Sequence, residues 1–483
     1  MRVRISCLVA ICLSLALPVA AQDTSGDTMT PQQFFDLGVT LLREGQPQDA
    51  ANVADALLMR APDDAFALIL RAEAAIELGD FADAVTFARS AYTVTALKNQ
   101  KFAAARLAAL AHSQLQNDTR AQIWLRRARQ NAPDTQTARA VAEDYQFLRR
   151  RNPWSTQLRF GITPSSNINN GSANATSPLF SPFLVFGLDR NARSLSGYAF
   201  SGGIQTSYRL RETRTALTRA TFEIDAQTYA LSNTSRAELR TEYDTSVTLC
   251  RAEPDVALQE TCLAGVTPVS TGSDFSDATL SFGINHRQIL TAGAQPTDFG
   301  IKVGKSWFSG EESSYFVDAS ISHAWQIDDQ NRISAMIRGQ KRSFYAGAPD
   351  VDTTEISARW SRVRVNNDRF QLGISLRESR SDTPDADYSS VIYSAGYDFS
   401  KPVYGLRFGI DASFEQRDVD YSFFAGGPRE DRTLGLNMSV AFAEIEFYGF
   451  RPVLNIDLRR NESTLDLFDR DYRSVGFDLQ SSF

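Results

Sequence analysis

Residue types that build catalytic and metal sites are scarce in this sequence. It contains four cysteines and three histidines, and Cys7 and Cys12 lie in an apolar N-terminal stretch. Zinc sites and Cys–His catalytic sites need these residue types close together. His112, His286 and His323 are widely separated, and no nucleophile stands beside a base. We therefore expect a protein that is not an enzyme and that carries no metal and no cofactor.

Long apolar runs and blocks of positive charge are also scarce. After residue 21, no apolar run reaches the length that a membrane-spanning helix needs. No Lys/Arg block stands out and the formal net charge is -7, so we expect no nucleic-acid partner. A charged fraction of 22% excludes a bundle of apolar membrane helices. It is compatible with a membrane β-barrel, whose polar lumen dilutes the apolar residues.

The N-terminal stretch predicts a secretory signal peptide at residues 1–21. Arg2 and Arg4 supply its positive start, and an apolar run that ends in small residues follows them. We expect residues 22–29 to form a linker. The signal directs the mature chain to a compartment in which disulfides form.

Two cysteines, Cys250 and Cys262, remain in the mature chain. An even cysteine count and a secretory address favour a disulfide that closes a small loop. A metal site is the alternative interpretation, but two cysteines without a nearby histidine do not complete a zinc site.

Residues 30–150 carry helix-period apolar patterns. Residues 34–62 match a tetratricopeptide repeat, with Gly45 at the turn between its helices, and two weaker repeats follow. The matching positions are Phe34, Leu37, Gly38, Leu41, Ala50, Ala54, Leu57 and Pro62. We predict a TPR-like α-solenoid with a concave face for a protein partner. A generic antiparallel helical bundle is the alternative.

After Trp154 the sequence alternates between apolar and polar residues, as strands do. About fourteen segments behave in this way: 155–163, 197–209, 215–230, 276–289, 297–309, 313–326, 331–345, 353–364, 369–381, 387–399, 403–417, 431–446, 450–461 and 473–483. They are longer than the strands of most soluble sheets, and an even number suits a closed bacterial barrel. The alternation therefore predicts that residues 151–483 form an antiparallel transmembrane β-barrel of about 14 strands.

The connections between these segments alternate in length. The longest, 164–196 and 231–275, fall on one side of the barrel, and short turns such as 327–330 fall on the other. We expect the long connections to face the outside, and one or both to fold into the lumen. Tyrosine and tryptophan residues near strand ends, Trp325 and Tyr472 among them, are expected to form an interfacial girdle. A soluble β-sandwich is the rival fold.

The last segment places Val475, Phe477, Leu479 and the terminal Phe483 toward one apolar side. It resembles the C-terminal targeting strand of bacterial outer-membrane barrels. This resemblance implies a location in the outer membrane, in contact with its lipid.

Two short motifs carry a further resemblance. The stretch NPWSTQLRFGITPSSNINNGSANA contains Trp154 and an Asn-rich segment with Asn167, Asn169 and Asn170, and GGPREDR (residues 426–432) lies in a late connection. These motifs resemble those of the surface lipoprotein assembly modulator (Slam) family. The order of a signal peptide, then helical repeats, then a barrel also resembles that family.

The resemblance implies delivery of surface lipoproteins, or of related secreted proteins, from the periplasm to the cell surface. The helical domain would lie in the periplasm and capture the client or its chaperone complex, and the barrel-assembly machinery would assist the barrel. A polysaccharide exporter or a passive porin-like channel remains the alternative.

Overall fold

The structure is a computed structural model that describes residues 29–180, 183–291 and 293–481. The predicted signal peptide, most of the predicted linker and Phe483 lie outside the described residues. The chain divides into two compact units, one ending at Leu115 and the other beginning at Gln116. In the described part of the chain, no helix is both long and apolar enough to cross a membrane.

Seven helices precede the first barrel strand in the described residues. They are α1 (Pro31–Arg43), α2 (Pro47–Arg60), α3 (Ala65–Leu78), α4 (Phe81–Val94), α5 (Lys98–Gln114), α6 (Asp118–Gln130) and α7 (Thr135–Arg151). Thr30 starts α1 with a capping box, and Asp64 and Asp134 cap α3 and α7 through side-chain oxygens that accept backbone N–H groups.

Close packing of small residues holds α1 to α5 together. Ala50, Ala54, Ala84 and Ala88 are fully buried, so the helices approach one another closely. A Cβ at Gly38 would lie 2.5 Å from the side chain of Leu70, which explains why α1 carries glycine where it crosses α3. Helix α3 contacts both α1 and α5, as the first helices of successive repeats do.

A closed antiparallel barrel of 14 strands follows the helices, which confirms the predicted architecture. Its strands are β1 (Trp154–Ser165), β4 (Gly197–Glu212), β5 (Ala216–Leu231), β6 (Asp277–Gln288), β7 (Thr297–Phe308), β8 (Glu311–Gln326), β9 (Asn331–Phe344), β10 (Val351–Val363), β11 (Arg369–Arg380), β12 (Tyr388–Asp398), β13 (Leu406–Ser422), β14 (Gly427–Phe442), β15 (Phe450–Ser463) and β16 (Arg470–Ser481). The strands β2 (Thr176–Pro178) and β3 (Val185–Gly187) form a separate hairpin. Each barrel strand pairs with its neighbours in sequence, and β16 pairs with β1 to close the barrel.

The two ends of the barrel differ. At the helix end, where α7 leads into β1, the connections are turns such as 327–330 and 364–368. At the loop end lie the connections 166–196 and 232–276. The second contains two helices, α8 (Asn233–Arg251) and α9 (Val256–Ala264), which the apolar pattern of the sequence does not predict.

The division into units differs from the change in sequence pattern. The pattern changes from helix to strand near residue 150, and the structure changes there too. However, α6 and α7 belong to the same compact unit as the barrel, whereas α1 to α5 form the other unit.

Candidate functional site

The outer face of the barrel is apolar. Val475, Phe477 and Leu479 on β16 are 48%, 55% and 46% exposed, and β1 places Phe160 and Ile162 beside them in register. The same outward row continues around the barrel through Ile204, Phe282, Ile284, Ile301, Val303, Val317, Ile321, Ile337, Ile356, Leu372, Ile374, Leu376 and Leu434, all exposed. Exposed apolar residues on this scale need an apolar partner.

His286 and His323 lie in this outward row, as their parity predicts. The Nδ1 atom of His286 is 2.9 Å from the hydroxyl of Thr218, and that of His323 is 2.8 Å from the hydroxyl of Thr297. Their partners are neighbours across the strands, so both histidines have a packing role. His112 is buried in α5.

The expected aromatic girdle is only partly present. Trp325 meets His323 edge-on on the outside, with ring centres 4.6 Å apart. Tyr472 instead points inward, because it lies opposite Arg459 in register and that guanidinium lies over its ring. The girdle prediction was wrong for Tyr472, since alternation along β16 puts even-numbered residues on the lumen side.

The lumen is polar and carries both signs of charge. Glycine and serine occupy many inward positions, and ion pairs join neighbouring strands or, for Arg159 of β1 and Asp225 of β5, reach across the strand between them. These pairs include Arg159–Asp225 at 2.6 Å, Arg287–Asp298 at 2.7 Å, Arg338–Asp318 at 2.6 Å and Arg377–Glu355 at 3.1 Å. Because each charge has a neighbour of the opposite sign, these pairs give the lumen wall no single-sign field.

Arg429 fastens the loop end together. It is 4% exposed, donates to Asp431 at 3.0 Å and pairs with Asp385 of the β11–β12 connection. Its guanidinium also lies over the ring of Phe468, in the β15–β16 connection. Arg429 belongs to the GGPREDR motif, so that motif joins three parts of the loop end.

The Asn-rich motif organises the connection 166–196. The side chain of Asn169 donates to the carbonyl oxygens of Asn191 and Arg193, both at 2.8 Å, and accepts from the N–H of Leu195 at 2.9 Å. The buried Asn167 exchanges two hydrogen bonds of 2.9 Å with the backbone of Gly171. Asn170 has a positive φ of 54°. The motif therefore closes the two ends of this connection on each other.

This connection folds over the opening of the barrel. Ile168 and Leu195 pack with Leu231 and Leu239 in a buried cluster that Tyr229 also contacts. Tyr229 and Leu231 face the lumen, in the same row as Asp225. The connection therefore packs against the loop end of the lumen wall, and its folding into the lumen stays a prediction.

Neighbouring connections hold it in place. The N–H of Ala173 donates to the carbonyl oxygen of Asp469 at 2.8 Å, and the N–H of Leu467 donates to the hydroxyl of Ser177 at 3.0 Å. Arg190 donates to Glu238 on α8 at 2.7 Å. We call these interlocked connections, 166–196, 232–276, 381–387, 423–426 and 464–469, the loop cap.

The predicted disulfide lies within the loop cap. Cys250 at the end of α8 is bonded to Cys262 on α9, with the Cα atoms 5.4 Å apart. The bond pins the two helices into a hairpin. The helices themselves could have been recognised from their N-caps, because Ser232 and Asp255 accept backbone N–H groups at the first turn of α8 and α9.

At the helix end, the α6–α7 hairpin is fixed to the barrel rim on both sides of β1. Arg129 of α6 pairs with Glu446 at 2.7 Å. Gln130 accepts from the N–H of Tyr448 at 3.1 Å, and both partners lie in the β14–β15 connection. On the other side, Arg209 of β4 donates to the carbonyl oxygens of Arg150 and Arg151, each at 2.9 Å.

Among the described residues, the junction of β1 and β16, which we call the seam, has fewer register partners than any other junction in the barrel. Register partners run only over Arg159–Ile162 and resume at Ser165, whereas β1 pairs with β4 along its whole length. Pro164 lacks an N–H group to donate. A Cβ at Gly476 would collide with the side chain of Thr163, so glycine lets the strands approach there.

Trp154 marks the start of β1 at the helix end. Its ring lies 4.6 Å from that of Tyr208 on β4, and its backbone N–H donates to the side-chain oxygen of Asn152 at 3.0 Å. It therefore connects the end of α7 to the barrel wall.

A carboxylate orders the turns of the helix end. Asp368 accepts from the N–H of Ser400 at 2.9 Å and from the hydroxyl of Tyr397 at 2.8 Å. These bonds to its charged form lower the pKa of Asp368 to about 2. It joins the turn 364–368 to the connection 399–405.

In the helical unit, α1 and α3 present aromatic and acidic side chains. Phe66 is 47% exposed and meets Phe35 edge-on at 5.4 Å. Burial of Glu73 raises its pKa, and the nearby charge of Glu77 raises it further. This surface combines apolar contact area with a carboxyl group.

No protein-family model matches the chain, and no curated protein matches it. Among solved structures it is similar to the type III secretion translocator chaperone SycD of Yersinia enterocolitica, at 15% identity over 25% of this chain and 83% of that one, with a TM-score of 0.23. It is also similar to OccAB4 of Acinetobacter baumannii, at 11% identity over 68% and 97%, with a TM-score of 0.31. A loop-deletion mutant of Vibrio cholerae OmpT matches at 8% identity over 68% and 99%, also with a TM-score of 0.31. These likenesses concern the fold alone.

Proposed function

We propose that this protein is an outer-membrane translocator that delivers surface lipoproteins, or related secreted proteins, from the periplasm to the cell surface. The transport is physical and not enzymatic. The observation that carries the proposal is that one chain joins a repeat-helix unit to a closed barrel, with the α6–α7 hairpin fixed to the rim at the barrel seam.

The outward apolar row supports a location in a membrane. Antiparallel barrels satisfy every backbone group between strands and can present apolar side chains to lipid. A secretory signal directs such a chain to the outer membrane, with its short turns and helices in the periplasm and the loop cap outside.

The helical unit is proposed to capture the client. Partly exposed aromatic residues such as Phe35 and Phe66, with Glu73 two turns further along α3, form a surface suited to a protein segment. A passive channel has no use for such a unit. The mixed ion pairs of the lumen also give no support to a pore selective for an anionic polysaccharide.

The seam is proposed as the route of passage. The loop cap crosses the opening of the barrel, and the buried Arg429 holds two of its connections. The pairing between β1 and β16 is short by comparison and is interrupted at Pro164. In the described part of the chain, parting these strands therefore breaks fewer register pairs than parting β1 from β4.

Deletion of residues 30–115 tests the capture role, because it removes α1 to α5 and keeps α6 and α7 on the rim. We expect the shortened barrel to insert at wild-type levels and the display of its client at the cell surface to stop. Heat-modifiable migration of the barrel is the control for insertion. Display that survives the deletion would show that the helical unit does not capture the client.

A further inference from the structure

The end of α7 and the neighbouring β4–β5 turn form the most basic sector of the barrel's helix end. Residues 149–151 and 209–214 contain six arginines and a single acid, Glu212. The next most basic connection, 362–369, contains three arginines and one aspartate, and the turn 327–330 contains two aspartates. Positive charge is therefore concentrated in one sector of the rim, although the formal net charge of the chain is -7.

Two of these six arginines have acidic partners. Arg151 pairs with Asp118 of α6, and Arg209 donates to Glu212 at 2.5 Å. The other four are exposed and form no ion pair in the described part of the chain, and we call them the arginine patch: Arg149, Arg150, Arg211 and Arg214. Their charges are available to a partner outside the protein.

A β-bulge turns Arg211 toward the outside of the barrel. The register between β4 and β5 shifts by one residue at Leu210, so that Arg211 lies opposite Thr218. Thr218 belongs to the outward row, where its hydroxyl contacts His286. Without the bulge, alternation would turn position 211 toward the lumen. Bulges often re-aim a side chain in this way, and here the bulge places a cation on the lipid side.

An aromatic pair gives the depth of this cation in the membrane. The rings of Trp154 and Tyr208 meet on the outward face, 4.6 Å apart, and Leu210 beyond them is 54% exposed. Tryptophan and tyrosine rings of membrane proteins gather at the level of the lipid headgroups. Arg211 follows Tyr208 toward the helix end, so it lies at the level of the lipid phosphates.

The position of the arginine patch decides between two explanations of its charge. Cations stabilise a helix C-terminus, which accounts for the arginines of α7 but not for Arg211 and Arg214, because these lie on no helix. An acidic protein would match the charge alone. A lipid also accounts for the outward direction of Arg211 and for the aromatic border beside it.

We propose that the arginine patch binds the phosphate of an anionic phospholipid in the membrane leaflet at the helix end. Guanidinium groups bind phosphate through paired N–H donors. The acyl chains of the lipid lie along Leu210 and the outward apolar row. The proposal requires a membrane-embedded barrel and is independent of what the barrel transports.

Native mass spectrometry of the full-length protein tests this proposal. The protein is held in neutral detergent micelles with equal amounts of phosphatidylglycerol and phosphatidylethanolamine of the same acyl chains, and the lipids retained on each protein are counted. A parallel sample contains glycerol 1-phosphate, which carries the phosphate without acyl chains. A further sample contains a poly-glutamate peptide. Heat-modifiable migration shows that each variant is folded.

We expect the wild type to retain more phosphatidylglycerol than phosphatidylethanolamine. Arg211→Gln should reduce this preference about fivefold, which corresponds to about 1 kcal/mol, and Arg211→Lys should keep most of it because it keeps the charge. Arg362→Gln is the matched control, because Arg362 lies in the outward row of β10 at the same end but close to Asp328. It should leave the preference unchanged.

Equal retention of the two lipids by the wild type, or an unchanged preference in Arg211→Gln, would overturn the proposal. An equal loss in Arg362→Gln would do so as well, since it would show a general effect of charge. Competition by glycerol 1-phosphate would indicate a phosphate site without lipid, and binding of poly-glutamate in place of phosphatidylglycerol would assign the patch to an acidic protein. Either result contradicts a lipid site. The assay needs no export, so its outcome is separate from that of the proposed function.

Discussion

The guanidinium of Arg429 lies 3.5 Å from the centre of the Phe468 ring, and this contact ties the start of β14 to the connection before β16. The same guanidinium forms ion pairs with Asp431 and Asp385. One buried arginine of β14 thereby links two connections of the loop cap, 381–387 and 464–469.

Replacing Arg429 by methionine should loosen the loop cap. The change leaves two carboxylates without their cation, and breaking a buried ion pair in this way costs about 3–5 kcal/mol. We expect faster protease cleavage within 464–469 and a higher conductance of the barrel in planar bilayers.

Arg432→Met is the matched control, because the Arg432 side chain is 61% exposed and lies 3.7 Å from Glu430, which is 54% exposed. Exposed pairs contribute at most about 1 kcal/mol. If both variants leave the conductance unchanged, Arg429 does not hold the cap closed.

Asn169→Ala should release the connection 166–196. It removes three hydrogen bonds to the backbone of residues 191–195 and leaves buried groups without partners, at about 1–3 kcal/mol for each such group. Hydrogen exchange of the Leu195 amide should accelerate. Asn170→Gly, which keeps the positive φ at that position, should change nothing, and equal protection in all three proteins would contradict the assigned role.

Locking the seam should stop export. Ile162 and Phe477 face each other across β1 and β16, so cysteines at both positions would join the strands under oxidation. Cysteines in place of Ile337 and Ile356, paired across β9 and β10, form the control lock. We expect display to fail with the first lock and to recover on reduction, and to continue with the second. Export through an oxidised seam would exclude passage between β1 and β16.

Glu73→Gln should stabilise the helical unit at neutral pH. Burial and the charge of Glu77 raise the pKa of Glu73 above its ordinary 4.5. A raised folded-state pKa gives stability that is present below the unfolded-state pKa and is lost as the pH rises through the folded value. Because the glutamine side chain does not ionise, the variant does not lose this stability at neutral pH. The thermal unfolding midpoint, followed by circular dichroism at 222 nm, should therefore rise at pH 7. Near pH 4 the variant and the wild type should differ little, and an equal gain at both pH values would contradict a titrating Glu73.

Much of the fold could be predicted because its signals are local. Alternation along β13, or the spacing of Gly38 and Ala54 in the first repeat, is set by which side of a strand or helix each residue occupies. The same alternation predicted the outward positions of His286 and His323. Alternation along β16 also predicts that Tyr472 faces the lumen, whereas its aromatic character favours the girdle.

The parts that were missed depend on distant partners. The sequence around Arg129 does not predict its ion pair with Glu446, and the sequence around Ala173 does not predict its hydrogen bond to Asp469. These two contacts help to fix the α6–α7 hairpin and the loop cap. The Asn-rich motif was recognised as a pattern only. Its role became visible once Asn169 and Leu195 were brought together by the fold.

Surface proteomics of a strain that lacks this chain tests the central claim most directly. Intact cells of the deletion strain and of the complemented strain would be treated with an external protease, and the released peptides compared, alongside staining of surface polysaccharide. We expect one or a few proteins to disappear from the surface and remain inside the cell, while polysaccharide is unchanged. Loss of a surface polysaccharide with every surface protein retained would contradict it.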